Sequence, residues 1–492
     1  MREFFLHETP PVVGKTCSVK SFAPLAGNAS DDTLGLGYAR YACNLRLANG
    51  KITRAKGVGT ARVGDYLLPS GISVGSGIKK AAIYKRRDYS SDSADDRLIL
   101  HLNNGNLYEA RIGVDIGLTK IGVPEAESVE LLNYRYNGKD VLLIFDSLGN
   151  ISVYDGSTVT TKTGPALTGA CVYNERIYGA VKGSENKLRC SSNLDPFDWT
   201  DITKGAGTIV FPDEGGAVRR AVACGDGIYV FRDYSVYRLT GYTDINDYTL
   251  TKIFSSHNPI YYETAGVWND KAYFLCEDGF YSAKGTAVSS EWRDEFSLIE
   301  DKSGACGICY GGKYYVAAKL FTDGGTVGDE AHCAVNNGII GIDLISGGTE
   351  IIRGADVAGF TPCFIGGKSY LFLVNTPGYR GMNLAMFTDD GKIYGEYPEI
   401  RWTSPSVTLG KRGEDVTVRK IHLRTVAAAT LKVNSDGERV FPLAGKPETQ
   451  TVAVNARGER VQIGFSSFAP EFTLSGFDVE YETVERRKYG AN

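Results

Sequence analysis

Methionine is nearly missing from this chain, with 3 in 492 residues, and histidine is scarce, with 5. The histidines, His7, His101, His257, His332 and His422, never fall two together at metal-ligand spacing, so no histidine-based metal centre is expected. There is no Gly-x-Ser-x-Gly elbow, P-loop or Gly-x-Gly-x-x-Gly, which removes the common signatures of hydrolases and nucleotide binders. No run approaches the roughly 18 apolar residues of a membrane helix. The opening MREFFLHETPPVVGK carries Glu3, His7 and Glu8 and no apolar stretch, unlike a signal peptide. Positive charge is not in excess either: 54 Lys and Arg face 58 Asp and Glu, a formal charge of −4, so no basic footprint for holding nucleic acid is present. Nor is a 3.6-residue apolar period sustained anywhere, which argues against a helical protein.

What the chain has in abundance is glycine (59), tyrosine (29) and phenylalanine (21), the composition of many short strands joined by tight turns. At 492 residues it is too long for one compact core. Its ten cysteines sit singly, and Cys43, Cys171, Cys224, Cys276 and Cys363 lie inside apolar strand-like segments. That pattern suits buried thiols in a chain made in a reducing cytoplasm.

One phrase recurs. A short turn, usually ending in Lys or Arg, launches an aromatic-rich strand: Asp96-Arg97 then LILHL, Gly138-Lys139 then DVLLIF, Glu175-Arg176 then IYGAV, Asp226-Gly227 then IYVF. Three more follow: Asp270-Lys271 then AYFL, Gly312-Lys313 then YYVAA, and Gly367-Lys368 then SYLFLV. The spacing is roughly 45 residues, the size of a four-stranded propeller blade. Each phrase is flanked by further strands and Asp/Asn-Gly turns, the pattern of an antiparallel meander. A single such sheet leaves both faces bare, whereas a ring of sheets buries them against one another. The expected architecture is all-β, an irregular propeller of about seven blades over 76–401. Ordinary hairpins arranged in two sandwiches are the competing reading. After Trp402 the strands lengthen and alternate plainly, predicting an antiparallel β-sandwich over 402–484 and a tail over 485–492. Residues 1–75 do not fit the phrase and are read as an arm with strands that either stands apart or closes the ring.

Catalytic candidates are few. Cys306-Gly-Ile-Cys309 is a CxxC, but strand residues three apart point to opposite faces, so two packed thiols are expected rather than a metal grip. The carboxylate pairs Asp244/Asp247, Asp329/Glu330 and Asp389/Asp390 lie in turn-rich stretches. A sialidase-type Asp box aligned on Trp199 puts Leu194 in the Asp place and Pro196 in the Gly place, so it fails. The Gly-His and Trp-Asp marks of Trp-Asp repeat blades are absent. Gly311-Gly312 and Gly366-Gly367 resemble kelch doublets but lack the following Trp. No enzyme, cofactor or metal is expected.

The densest local signal is SSNLDPFDWTDI, residues 191–202. Asp195 can cap a turn in which Pro196 has φ already fixed, and Phe197 and Trp199 can fold back on the sheet as an apolar plug. The residue-level reading is a rigid structural corner made of Asp195, Pro196, Phe197 and Trp199. A strand ending in Ser-Ser and followed by Asp-Pro-x-x-Trp resembles a phrase of β-propeller virion proteins of tailed bacteriophages. The next blade, GIYVFRDYSVYRLTG (227–241), is similar to a blade of the same proteins. So is the plan of N-terminal arm, irregular propeller and C-terminal sandwich entered at a domain junction, Arg401-Trp402. The resemblance spans about 130–480 and points to the tail hub or nozzle and head–tail connector proteins. It implies a virion protein with no catalytic role, assembled as a ring, typically a hexamer, against the portal, adaptor and tail fibres, with DNA passing through without being gripped. The loop 322–338 then becomes either a gate or an ordinary insertion. Sandwich edges become the expected subunit contacts, and a chain ended near Arg401 is expected to fold alone. The alternatives are a carbohydrate-binding or adhesion propeller using Tyr261, Tyr262 and Trp292, and a glycan-cleaving propeller with an unrecognised acid pair.

Overall fold

The computed structural model describes residues 13–485 except 23–29, 64–65, 68–76, 89–92, 95, 112–117, 184–185, 226, 242–246, 322–329, 331, 366–367, 380–383 and 412–413. Within them the chain is built of strands, with one short α-helix, Arg293–Phe296, and two 3-10 turns. Six consecutive four-strand antiparallel meanders occupy 78–120, 129–163, 167–210, 218–255, 260–291 and 299–353, and a seventh begins at Val357. These are blades 1 to 7. The recurrent aromatic phrase supplies the second strand of every blade, from Arg97–Leu102 to Lys368–Asn375. Flanked by strands on both sides, that strand is the most buried; in blade 4 all six residues of Gly227–Arg232 are inaccessible.

Seven apolar clusters hold the ring, one at each blade interface. At the closure, Ile78, Ala81, Leu98 and Leu100 of blade 1 pack on Cys363, Phe372 and Val374 of blade 7. The Thr361 hydroxyl of blade 7 donates to the carbonyl of Ala81 at 2.9 Å. Blade 7 has only three strands of its own. Its fourth is Gly57–Thr60, paired antiparallel to Leu384–Thr388. Gly57 has to be glycine there, because a Cβ would lie 2.3 Å from the carbonyl oxygen of Lys392. The ring is therefore fastened by residues from opposite ends of the chain.

The other described strands of the N-terminal segment do not stand apart as an arm. Val13–Val19 pairs with Thr473–Glu485, and Tyr41–Cys43 pairs with Ile400–Thr403, so each adds a strand to one sheet of the sandwich. Leu45–Ala48 and Lys51–Arg54 form a bridge between the two parts. The first pairs with Thr349–Arg353 on the outside of blade 6, and the second with Thr473–Glu485. One continuous sheet thus runs from blade 6 into the sandwich. The opposing sheet joins Ile400–Thr403, Gln462–Ser467, Ala429–Asn434 and Glu438–Leu443.

The cores merge as well. Tyr273, Phe280 and Tyr314 of blades 5 and 6 share one cluster with Leu45, Ile52, Trp402, Val418, Phe465 and Phe477. Arg54 binds the carbonyl oxygens of Pro398 and Ala469 at 2.8 and 2.7 Å, tying the propeller's exit to the sandwich. The expectation that a chain ended near Arg401 folds alone is corrected here. Such a chain would leave Val13–Val19 without its sheet partner, would strip Lys51–Arg54 of one of its two, and would bare half of the largest core.

Candidate functional site

The 191–202 corner is a closed knot of local hydrogen bonds. Asp195 Oδ1 accepts the Phe197 amide at 2.9 Å, and Asp198 Oδ1 accepts the amides of Thr200 and Asp201, both at 3.1 Å. Asp198 Oδ2 takes the Ser192 hydroxyl at 2.7 Å. These bonds hold the Asp198 carboxyl down at about 2, the Ser192 hydroxyl contributing most. Trp199 is 5% exposed, and its indole N–H donates to the Pro196 carbonyl at 2.9 Å. The ring meets Phe145 of blade 2 edge-on at 6.1 Å, within the cluster that joins blades 2 and 3. Phe197 meets Tyr136 edge-on, with the ammonium of Lys162 over its face at 4.3 Å. The carboxylates of Asp195 and Asp198 are engaged in local bonds and both aromatic rings pack on blade 2, so the geometry is that of a plug between blades.

Trp402 is 1% exposed and packed between Phe22, Phe465 and Phe477, deep in the shared core. Arg401 faces outward and pairs with Glu399. The aromatic residues considered for glycan stacking are committed elsewhere. Trp292 stacks on Tyr273 at 5.5 Å and borders Phe280 and Tyr314, Tyr261 bonds Glu277, and Tyr262 packs between blades 4 and 5.

Cys306 and Cys309 do diverge. Cys306 enters the core between blades 6 and 7 and Cys309 packs on the core between blades 5 and 6; burial raises both thiols well above their ordinary range. Among the described residues no three His, Cys, Asp or Glu side chains gather as a metal site. Of the carboxylate pairs, Asp390 accepts from Thr388 and Lys392 in its own turn, while Asp389 projects into solvent. Glu330 grips the buried guanidinium of Arg353 at 2.6 and 2.7 Å. Asp244, Asp329 and most of the 322–338 loop lie outside the described residues.

Individual motifs did not reveal the channel. The first strands of the seven blades surround a cavity of about 580 Å³. Six of these strands lose register with their neighbour near the same mouth. The skipped residues are Lys79 in blade 1, Gly169 and Ala170 in blade 3, Arg219 in blade 4, 262–265 in blade 5, 302–305 in blade 6 and Ala358 in blade 7. Blade 2 alone stays regular. Such bulges bend a strand and free its ladder groups. Small residues follow from crowding: Gly169 has φ of +59°, and a Cβ there would sit 2.3 Å from the Arg219 carbonyl oxygen. Charge is concentrated at the same mouth. Lys80 meets Glu130 at 2.8 Å, Arg220 meets Glu263 at 3.4 Å, and the Lys79 ammonium donates to the Glu127 carbonyl at 2.9 Å. Spread along the roughly 17 Å that five strand residues span, the cavity volume gives a bore of about 7 Å. The major groove of B-DNA alone is about 12 Å wide, so duplex DNA cannot thread this channel.

No protein-family model matches the chain, and no curated protein matches its sequence. Among solved structures it is similar to a chain in the crystal structure of BBS1N in complex with ARL6DN, at TM-score 0.41 and 9% identity, covering 66% of this chain and 100% of that one. It is also similar to Chaetomium thermophilum Raptor, at TM-score 0.42 and 10% identity, covering 70% of this chain and 30% of that one.

Proposed function

We propose that the chain is a structural, non-catalytic protein of a tailed-bacteriophage virion, one subunit of a ring in the tail hub, nozzle or head–tail connector through which the genome is retained and ejected. The observation that carries the reading is the Ser191-Ser192, Asp195-Pro196, Trp199 phrase with its following blade, set in a propeller that runs through Arg401-Trp402 into a C-terminal sandwich. The physical properties of the chain agree with it. With a bore too narrow for a duplex, the DNA path of such a ring lies between copies of the chain rather than along a propeller axis. A wall of net negative charge lets DNA slide, whereas a basic wall would bind phosphates by counterion release. Neighbours, typically six, meet head to tail and close when their rotation allows it. Portal or adaptor proteins above and tail fibres at the periphery complete the partner set.

The test is assembly. Purified full-length protein, alone and mixed with the portal and adaptor of its own virion, is examined by mass photometry and electron microscopy. Closed rings are expected, along with double-stranded DNA binding no tighter than micromolar at physiological salt. A chain that stays monomeric with its tail partners present overturns the reading. Tight, steeply salt-dependent DNA binding overturns the sliding-wall part of it.

A further inference from the structure

The bulged mouth of the propeller channel has the features of a binding site that the assembly role does not require. Its size, about 580 Å³, falls within the 300–1,000 Å³ of small-molecule pockets. Regular first strands would present smooth, hydrogen-bonded walls. Here six of seven depart from register within a few residues of the same level, and the cavity lining includes the out-of-register residues Lys79, Gly169, Ala170, Glu263, Ser303 and Ala358.

The groups on the wall indicate the sign of the ligand. Lys79, Lys80 and Arg220 face the cavity against Glu130 and Glu263. Lys80 and Arg220 are each matched by a carboxylate, which leaves the ammonium of Lys79, bonded to a neutral carbonyl, as net positive charge. Several of the acceptors that would draw a cation are already engaged. Among the bulge carbonyls, Tyr261 accepts from Thr264, Tyr262 from Arg220, Thr264 from Tyr314 and Gly304 from Asn336. A net positive mouth in a chain of net charge −4 is a local reversal that attracts anions.

We propose that this mouth binds a small oxyanion, a carboxylate- or phosphate-bearing molecule, with Lys79 as the principal charge contact and Lys80 and Arg220 reorganising from their carboxylates to share it. The site is complete within one chain, so it stands independently of ring formation.

The experiment is isothermal titration of the full-length protein with citrate and, separately, with inorganic phosphate, the two probes distinguishing carboxylate from phosphate as the preferred group. Micromolar to low-millimolar binding of at least one is expected. Lys79→Ala should weaken it tenfold or more, and Lys187→Ala, an exposed lysine on blade 3, should leave it unchanged. Ala358→Phe fills the cavity without removing a charge and should also abolish binding, with thermal melts confirming that each variant is folded. Absence of binding to either probe at about 10 mM, or binding that survives both Lys79→Ala and Ala358→Phe in folded protein, overturns the proposal.

Discussion

Replacing Trp199 with alanine tests whether the corner holds the propeller together or decorates its surface. The indole is 5% exposed and fills the gap between Phe145, Leu143 and Ile177, so truncation removes a large buried aromatic from an interface that cannot readily collapse. Such truncations cost about 3–5 kcal/mol. The total includes about 0.5–1.5 kcal/mol for the edge-on contact with Phe145. It also includes a similar amount for the N–H bond to the Pro196 carbonyl. For 492 residues unfolding as one unit, the entropy of unfolding near the midpoint is on the order of 1 kcal/mol/K. The expected fall in Tm is therefore about 3–5 °C by scanning calorimetry. Trp199→Phe keeps most of the area and loses the N–H bond, and should fall between wild type and alanine. Ile202→Ala, three residues on and 61% exposed, is the control and should move Tm by less than about 1 °C. If Trp199→Ala melts with Ile202→Ala, the plug reading is refuted.

A chain ended after Arg401 should accumulate as insoluble or aggregated protein on expression, because it leaves sheet partners and half of a shared core exposed; a soluble monomer with a cooperative melt would contradict the merged core. His101 gives a pH signature. It is buried, its Nε2 lies 3.0 Å from the Ala126 carbonyl, and burial, reinforced by Lys79 and Lys80, lowers its pKa from the ordinary value near 6.5. The unfolded chain therefore takes up a proton before the folded one does, so the His101 contribution is whole above about pH 6.5 and is lost as pH falls through the depressed folded value. Melting temperature should drop between pH 7.5 and 5.5, and His101→Gln, which keeps a donor for Ala126, should flatten that drop; parallel profiles would refute it.

The channel and the merged core were the features least visible in the sequence. The repeat was legible because each blade's second strand is buried on both faces and so must be apolar and aromatic, whatever its neighbours are. Phrases such as IYVF and AYFL record that burial directly. The corner was legible because Asp195, Pro196 and Trp199 interact within five residues, and short-range turn chemistry is written in short-range sequence. The CxxC divided as strand periodicity requires. By contrast, Gly57–Thr60 finds its partner more than 300 residues away, and nothing local in GVGT names Leu384–Thr388. Strand pairing is made by backbone groups that every residue carries, so long-range register leaves little trace in residue types. The same applies to Val13–Val19 and Tyr41–Cys43, which looked like an arm and became strands of the sandwich. Lys79, Gly169 and Ala358 are unremarkable one by one. They become a charged, bulged mouth only when seven strands from 78 to 365 are brought round one axis. Composition and periodicity by themselves pointed to an all-β ring of repeats with singly placed cysteines and no helix long and apolar enough to cross a membrane. Tertiary structure alone decided how the ring is fastened, where the two cores join and which side chains meet, because those contacts depend on distances between residues that sequence order leaves far apart.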